Sequence, residues 1–72
     1  MLAMCRSITV LREGSSPAPR EEVRAAALQF VRKISGFRDP SPRHIAAFQQ
    51  AVDEIADSSQ RLLSAIEAAW RN

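Results

Sequence analysis

Apolar residues recur through the second half of the chain at alternating intervals of three and four positions. This spacing places them along one side of an α-helix, and it holds for more than three heptad repeats. It predicts a long helix 2 over residues 42–70, with one polar member of the stripe at Ser59. The predicted stripe consists of Ile45, Phe48, Val52, Ile55, Ser59, Leu62, Ile66 and Ala69.

A shorter amphipathic segment precedes it. Residues 19–35 carry Val23, Ala27, Phe30 and Ile34 at the same mixed spacing, which predicts helix 1. We expect this stripe to pack on helix 2, with small or branched apolar residues on either side of it. The flanking positions are Ala26 and Val31.

The segment between the two stripes has the residues of a tight turn over residues 36–41. Gly36 suits the left-handed position that ends many helices. Pro40 blocks further helix because it lacks an N–H and its ring clashes with the preceding turn. Ser41 and Pro42 suit the N-cap and first position of helix 2.

The N-terminal part has a different pattern. In residues 5–11, β-branched and polar residues alternate, which is typical of a short strand or extended arm. Residues 12–19 are rich in Gly, Ser and Pro and are interpreted as a linker. No other segment has a strand pattern, so we expect the arm to pair with another copy or to pack on a helix.

The lengths of the two helices are unequal. At about 1.5 Å per residue, helix 1 is about 24 Å long and helix 2 about 43 Å. Helix 1 can therefore cover helix 2 only as far as about Ser59, and the apolar residues beyond need the arm or a second copy. The sequence predicts one all-α domain over residues 1–72, an antiparallel helical hairpin with an N-terminal arm, assembled as a four-helix homodimer. The predicted oligomer interface is Leu62, Leu63, Ile66 and Trp70.

Composition narrows the classes of protein. The chain has 72 residues, with one cysteine and one histidine, which excludes an intrachain disulfide and a Cys/His zinc cluster. No apolar run approaches the roughly 20 residues of a membrane span, and no export signal is evident. We expect a cytoplasmic protein with no membrane partner and no cofactor.

Charge is distributed unevenly along the chain. Residues 1–44 hold eight Lys/Arg and four Asp/Glu, whereas residues 45–72 hold two and four. A basic half and an acidic half could attract each other within the fold or between copies.

The turn also carries a candidate anion site. Lys33, Arg38 and Arg43 lie around the predicted start of helix 2, where unpaired N–H groups and the Ser41 hydroxyl could bind phosphate. Nucleic acid is the partner that such a tip could contact. The alternative is a capped turn with solvated charges, which the competing carboxylate of Asp39 favours.

Cys5 and His44 are the remaining reactive residues. If translation starts at Met4 and that methionine is removed, Cys5 offers a thiol beside an α-amine, a pair that could bind a metal or act as a nucleophile. The alternative is a cysteine that packs as a small apolar residue. His44 borders the predicted stripe and could share a metal with Cys5 across a dimer, or be an ordinary polar residue. We find no catalytic constellation and expect no enzyme activity.

Several segments together resemble a known family. They are Met4–Ile8, Arg24–Phe37, Pro40–Ser41, Ala47–Phe48 and Ala51–Ala56. Their order and content are similar to domain of unknown function 2277, a group of small bacterial proteins. The resemblance implies a bacterial protein whose role is uncharacterised, and it supplies no catalytic residues.

The sequence thus favours a non-enzymatic, self-associating interaction or assembly module. Binding of nucleic acid or phosphate through the basic tip is the second hypothesis. A thiol or metal protein that uses Cys5 is the third.

Overall fold

A computed structural model of the protein describes residues 18–71, with side chains as far as residue 70. It contains two helices, α1 (Arg20–Ser35) and α2 (Ile45–Arg71), packed against each other. Residues 18–71 contain no strand, so the predicted all-α hairpin is confirmed. The predicted arm of residues 5–11 and most of its linker lie outside the described residues.

Local interactions at both ends fix the extent of α1. The carbonyl of Pro19 accepts hydrogen bonds from the N–H groups of Glu22 (3.0 Å) and Val23 (3.2 Å). At the other end Gly36 adopts a left-handed conformation with φ of 79°, and its N–H donates to the Arg32 carbonyl at 2.9 Å. Glycine adopts this conformation without the steric cost that a Cβ would add, which is why the helix ends here.

The second helix begins later than Ser41 and Pro42 predict. The His44 N–H donates to the Ser41 carbonyl at 2.9 Å, which closes a turn over the residues before α2. This bond spans three residues rather than the four of an α-helix, so Pro42–His44 form a tighter turn. Regular α-helix starts only at Ile45.

Side chains hold the connecting loop against the end of α1. The Arg32 guanidinium Nε donates to the Arg38 carbonyl at 2.9 Å, and the Phe37 N–H donates to the Ser35 hydroxyl oxygen at 3.1 Å. The Phe37 ring stacks on the His44 imidazole, with the ring centres 5.2 Å apart. Two hydrogen bonds thus join the loop to the end of α1, and the ring stack joins its first residues to the turn before α2.

The core is a narrow row between the helices. On α1 the buried residues are Val23, Ala27 and Val31, spaced four apart, and they are small enough for the two helices to approach closely. Leu28 is half-buried against the same cluster. The residues that α2 buries in this row are Phe48, Val52 and Ala56.

The predicted α1 stripe is therefore partly wrong. Phe30 and Ile34 were expected in the core and are exposed. The row of residues 23, 27 and 31 makes the contact with α2, and Phe30 and Ile34 lie to one side of that row. A single partner helix covers only part of an apolar arc, so both side chains fall outside the contact.

The predicted α2 stripe also shifts. Phe48 and Val52 are buried as expected, but Ile45 is exposed. Leu62 is exposed as well, as expected for a residue beyond the reach of helix 1. Ala56, outside the predicted stripe, is buried in the core. The side of α2 that contacts α1 is therefore centred on Phe48, Val52 and Ala56, and part of the predicted stripe lies outside that contact.

No helix in the described range is both long and apolar enough to cross a membrane.

Candidate interaction face

Two shallow grooves run between the helices on the same side of the hairpin. The groove farther from the loop is lined by residues of both helices, among them Ala26, Phe30, Ile55 and Leu62. The groove nearer the loop is lined among others by Ile34, Phe37, Ala47 and Ala51. We call this side of the hairpin the apolar face and define it by the following residues. They are Ala26, Phe30, Ile34, Phe37, Ala47, Ala51, Ile55 and Leu62.

The large side chains of the apolar face are strongly exposed. Phe30 is 51% exposed, Ile34 63% and Leu62 60%. Scattered apolar residues are common on protein surfaces, but a contiguous group of large ones marks an interaction site. These residue types usually lie in a protein core, but no element of the described part of the chain packs over them.

Charge is missing from this face. Among the described residues that line the two grooves, the polar side chains are Ser35, His44 and Ser59, and none is Asp, Glu, Lys or Arg. The Ser59 hydroxyl donates to the Ile55 carbonyl four residues earlier, at 2.7 Å. Its hydrogen is therefore satisfied within the helix, and Ser59 adds little polarity to a covering surface.

The opposite side of the hairpin is polar. We call it the polar face; the clefts that it contains are lined mainly by charged and amide side chains. Arg24 of α1 and Asp53 of α2 form a salt bridge of 2.6 Å across it, with both side chains about half exposed. Water therefore solvates both partners of this ion pair. The polar residues of this face include Arg20, Glu21, Arg24, Gln49, Asp57 and Gln60.

The predicted oligomer interface divides into two parts. Leu62 and Leu63 line the groove on the apolar face. Ile66 and Trp70 lie farther along α2 and line neither groove, although Trp70 is exposed. The apolar face therefore adds residues nearer the loop to the predicted interface, which stays a prediction.

Spacing alone did not reveal Phe30, Ile34 and Phe37 as surface residues. The available signal was the small-residue row of α1: Ala27 between two valines favours close helix contact, which leaves larger neighbours outside. A two-helix protein also has only one neighbour for each helix, so a broad apolar arc predicts an uncovered face.

The predicted anion-binding residues lie at the hairpin tip and are all exposed. Lys33 is in the last turn of α1, whereas Arg38 and Ser41 are in the loop and Arg43 is in the turn before α2. None of these cations forms a salt bridge within residues 18–70. The tip therefore presents positive charge to the solvent, and phosphate binding there stays a prediction.

The thiol and metal hypothesis gains no site from the described residues. Cys5 lies outside them. The imidazole of His44 stacks on Phe37, at the edge of the apolar face. Within the described range, no three His, Cys, Asp or Glu side chains are grouped to hold a metal ion.

Comparison with known proteins identifies the family. The sequence profile of an uncharacterised conserved protein family, DUF2277, matches residues 4–71. The chain belongs to the DUF2277 family. No curated protein and no solved structure matches this chain. The resemblance found in the sequence is thus confirmed, and the function of this DUF2277 protein must be argued from its surface.

Proposed function

We propose that this DUF2277 protein is a non-enzymatic interaction module that assembles with a second copy through the apolar face. The observation that supports the proposal is the uncharged face on which Phe30, Ile34 and Leu62 are each more than half exposed. Two hairpins packed face against face form a four-helix arrangement, a common way to bury such surfaces. A bacterial cytoplasm is the setting we propose, in line with the single cysteine.

Burial of the apolar face supplies the driving force. Fully burying a Phe, Leu or Ile side chain contributes about 1.5–3 kcal/mol. Because these side chains are still about half exposed, roughly half of that free energy remains to be gained on association. Both copies contribute the same residues in a twofold interface, so the gain is doubled. Association itself costs several kcal/mol, so we expect a dimer that dissociates in the micromolar range rather than a permanent one.

Sedimentation of matched variants tests the proposal. The substitution Ile34→Glu places a charge on the apolar face at a side chain that the monomer leaves exposed, so it should produce a folded monomer. Gln49→Glu adds the same charge to an exposed residue of the polar face and should leave the dimer intact. Circular dichroism should show equal helix content in both variants. A monomeric wild type at high micromolar concentration would refute the proposal, as would equal association of the two variants.

Nucleic-acid binding through the tip is a second candidate, favoured by the exposure of Lys33, Arg38 and Arg43 without a salt bridge in the described part of the chain. Binding through phosphate contacts should weaken steeply as salt rises. The double substitution Arg38→Ala with Arg43→Ala should then abolish most of the binding to DNA or RNA. Unchanged binding in that variant would exclude the tip as the contact.

A further inference from the structure

Charge divides the hairpin into two oppositely charged halves. The half nearest the loop, residues 28–52, holds four basic residues and one acidic residue, a net charge of +3. The open half, residues 18–27 and 53–71, holds four basic and six acidic residues, a net charge of −2. The basic residues of the loop half are Arg32, Lys33, Arg38 and Arg43, and the acidic residues of the open half are Glu21, Glu22, Asp53, Glu54, Asp57 and Glu67.

Charges of both signs border the apolar face. Lys33 is one helical turn from Phe30 on α1, and Glu54 is one turn from Ala51 on α2, so these side chains lie at the rim of the face. The rim of an interface is where charge selects the orientation of a partner without the cost of full burial. The apolar centre cannot make that selection, because hydrophobic attraction has no direction.

Two twofold arrangements bury the same apolar face. If the symmetry axis runs along the helices, the two loop halves lie together and +3 meets +3. If the axis crosses the helices, the loop half of each copy lies over the open half of the other, and +3 meets −2. Since both arrangements cover the same face, the charges around it distinguish them.

We infer that the second copy lies antiparallel to the first, with the basic loop half of each chain over the acidic open half of its partner. This inference rests on the proposed self-association, since it specifies the orientation of that same interface. Each exposed charge pair changes an equilibrium constant by less than about fivefold. Summed over several rim charges, the interaction between the copies is attractive in the antiparallel arrangement and repulsive in the parallel one. The antiparallel orientation is therefore favoured.

A charge exchange tests the orientation. One variant, Arg38→Glu with Arg43→Glu, makes the loop half acidic; the other, Glu22→Lys with Glu54→Lys, makes the open half basic. Glu22 is one helical turn from Ala26, at the rim of the apolar face. All four residues are exposed, so both variants should keep the wild-type helix content. In the antiparallel dimer each variant alone places like charges together, and its dimer dissociation constant should rise about tenfold. An equimolar mixture should recover the affinity as a heterodimer, because each altered half then faces its complement.

The outcomes separate the orientation from the self-association itself. If the loop variant by itself dimerises more tightly than wild type, the arrangement is parallel; the inference is then wrong while the proposed function stands. If neither wild type nor any variant associates, the proposed function fails as well. The dependence of dimer affinity on sodium chloride concentration is an independent test. Salt screens the attraction between the halves of an antiparallel dimer, so wild-type affinity should fall, and a rise in affinity would contradict the inference.

Discussion

The apolar face and the polar face flank the same core, but water solvates the polar side chains of one and not the apolar side chains of the other. On the polar face, Arg24 and Asp53 join the helices through an exposed salt bridge that water also solvates. On the apolar face, Phe30 and Leu62 remain exposed although they resemble core residues. The contrast shows that the hairpin is amphipathic as a two-helix layer, in addition to the amphipathicity of each helix. A layer with one apolar and one polar face is what one half of a larger helical core would present.

The largest expected effect comes from the core that both faces share. Phe48 is buried between the helices, so Phe48→Ala should cost about 3–5 kcal/mol through lost burial and the cavity left behind. A domain of this size has little stability to lose, and we expect extensive unfolding at room temperature. Circular dichroism and urea denaturation measure it. A cooperative unfolding transition like that of the wild type would show that this core does not hold the hairpin together.

A paired substitution separates the two faces directly. Leu28 is half-buried against the core on the side of the polar face, so Leu28→Gln should lower the melting temperature equally at every protein concentration. Phe30→Gln should instead remove the rise of melting temperature with concentration that a dimer produces by mass action. Thermal melts over a hundredfold range of concentration check both. A constant wild-type melting temperature would leave no distinction between the faces.

The end of α1 should show an intermediate effect. Gly36 has φ of 79°, and a Cβ at this position would meet no other atom within 4 Å. Gly36→Ala therefore adds backbone strain without a clash, and we expect a loss of about 1 kcal/mol. Urea denaturation of Gly36→Ala in a protein that also carries Ile34→Glu, which we expect to be monomeric, measures this loss of stability without a contribution from assembly. A neutral result would indicate that the loop moves to another conformation at no cost.

The smallest effect should be on the polar face. Arg24→Ala removes the salt bridge to Asp53, and because both side chains are about half exposed, the loss should be below about 1 kcal/mol. The difference from wild type should shrink in high salt. Dimer affinity should not change. A weaker dimer in this variant would mean that the polar face also takes part in assembly.

Local chemistry made the loop region predictable from the sequence. Gly36 ends α1 in the left-handed conformation that its position suggested, since only residues near in sequence decide it. The start of α2 was less accessible: Ser41 and Pro42 are good helix-start residues, yet the bond from the His44 N–H to the Ser41 carbonyl forms a tighter turn first.

The face that Phe30 and Ile34 occupy could not be read from periodicity. Spacing showed that both belong to a broad apolar arc on α1, but which part of that arc meets α2 depends on how closely the two helices approach. The row of Val23, Ala27 and Val31 permits the closest approach and takes the contact. The candidate site is thus a product of tertiary packing, and only its α2 member Leu62 was predicted at the surface.

The short connection between α1 and α2 also sets the order in which structure forms. The nine residues from Gly36 to His44 join the helices, so closing one short loop brings the two sides of the core together. Loops of about ten residues close in roughly 10–100 ns, and small helical proteins fold in microseconds to milliseconds. Two chains at micromolar concentration meet far more slowly than that. In the proposed assembly, each hairpin therefore folds before a second copy covers its apolar face, and in that interval another apolar surface can bind there instead.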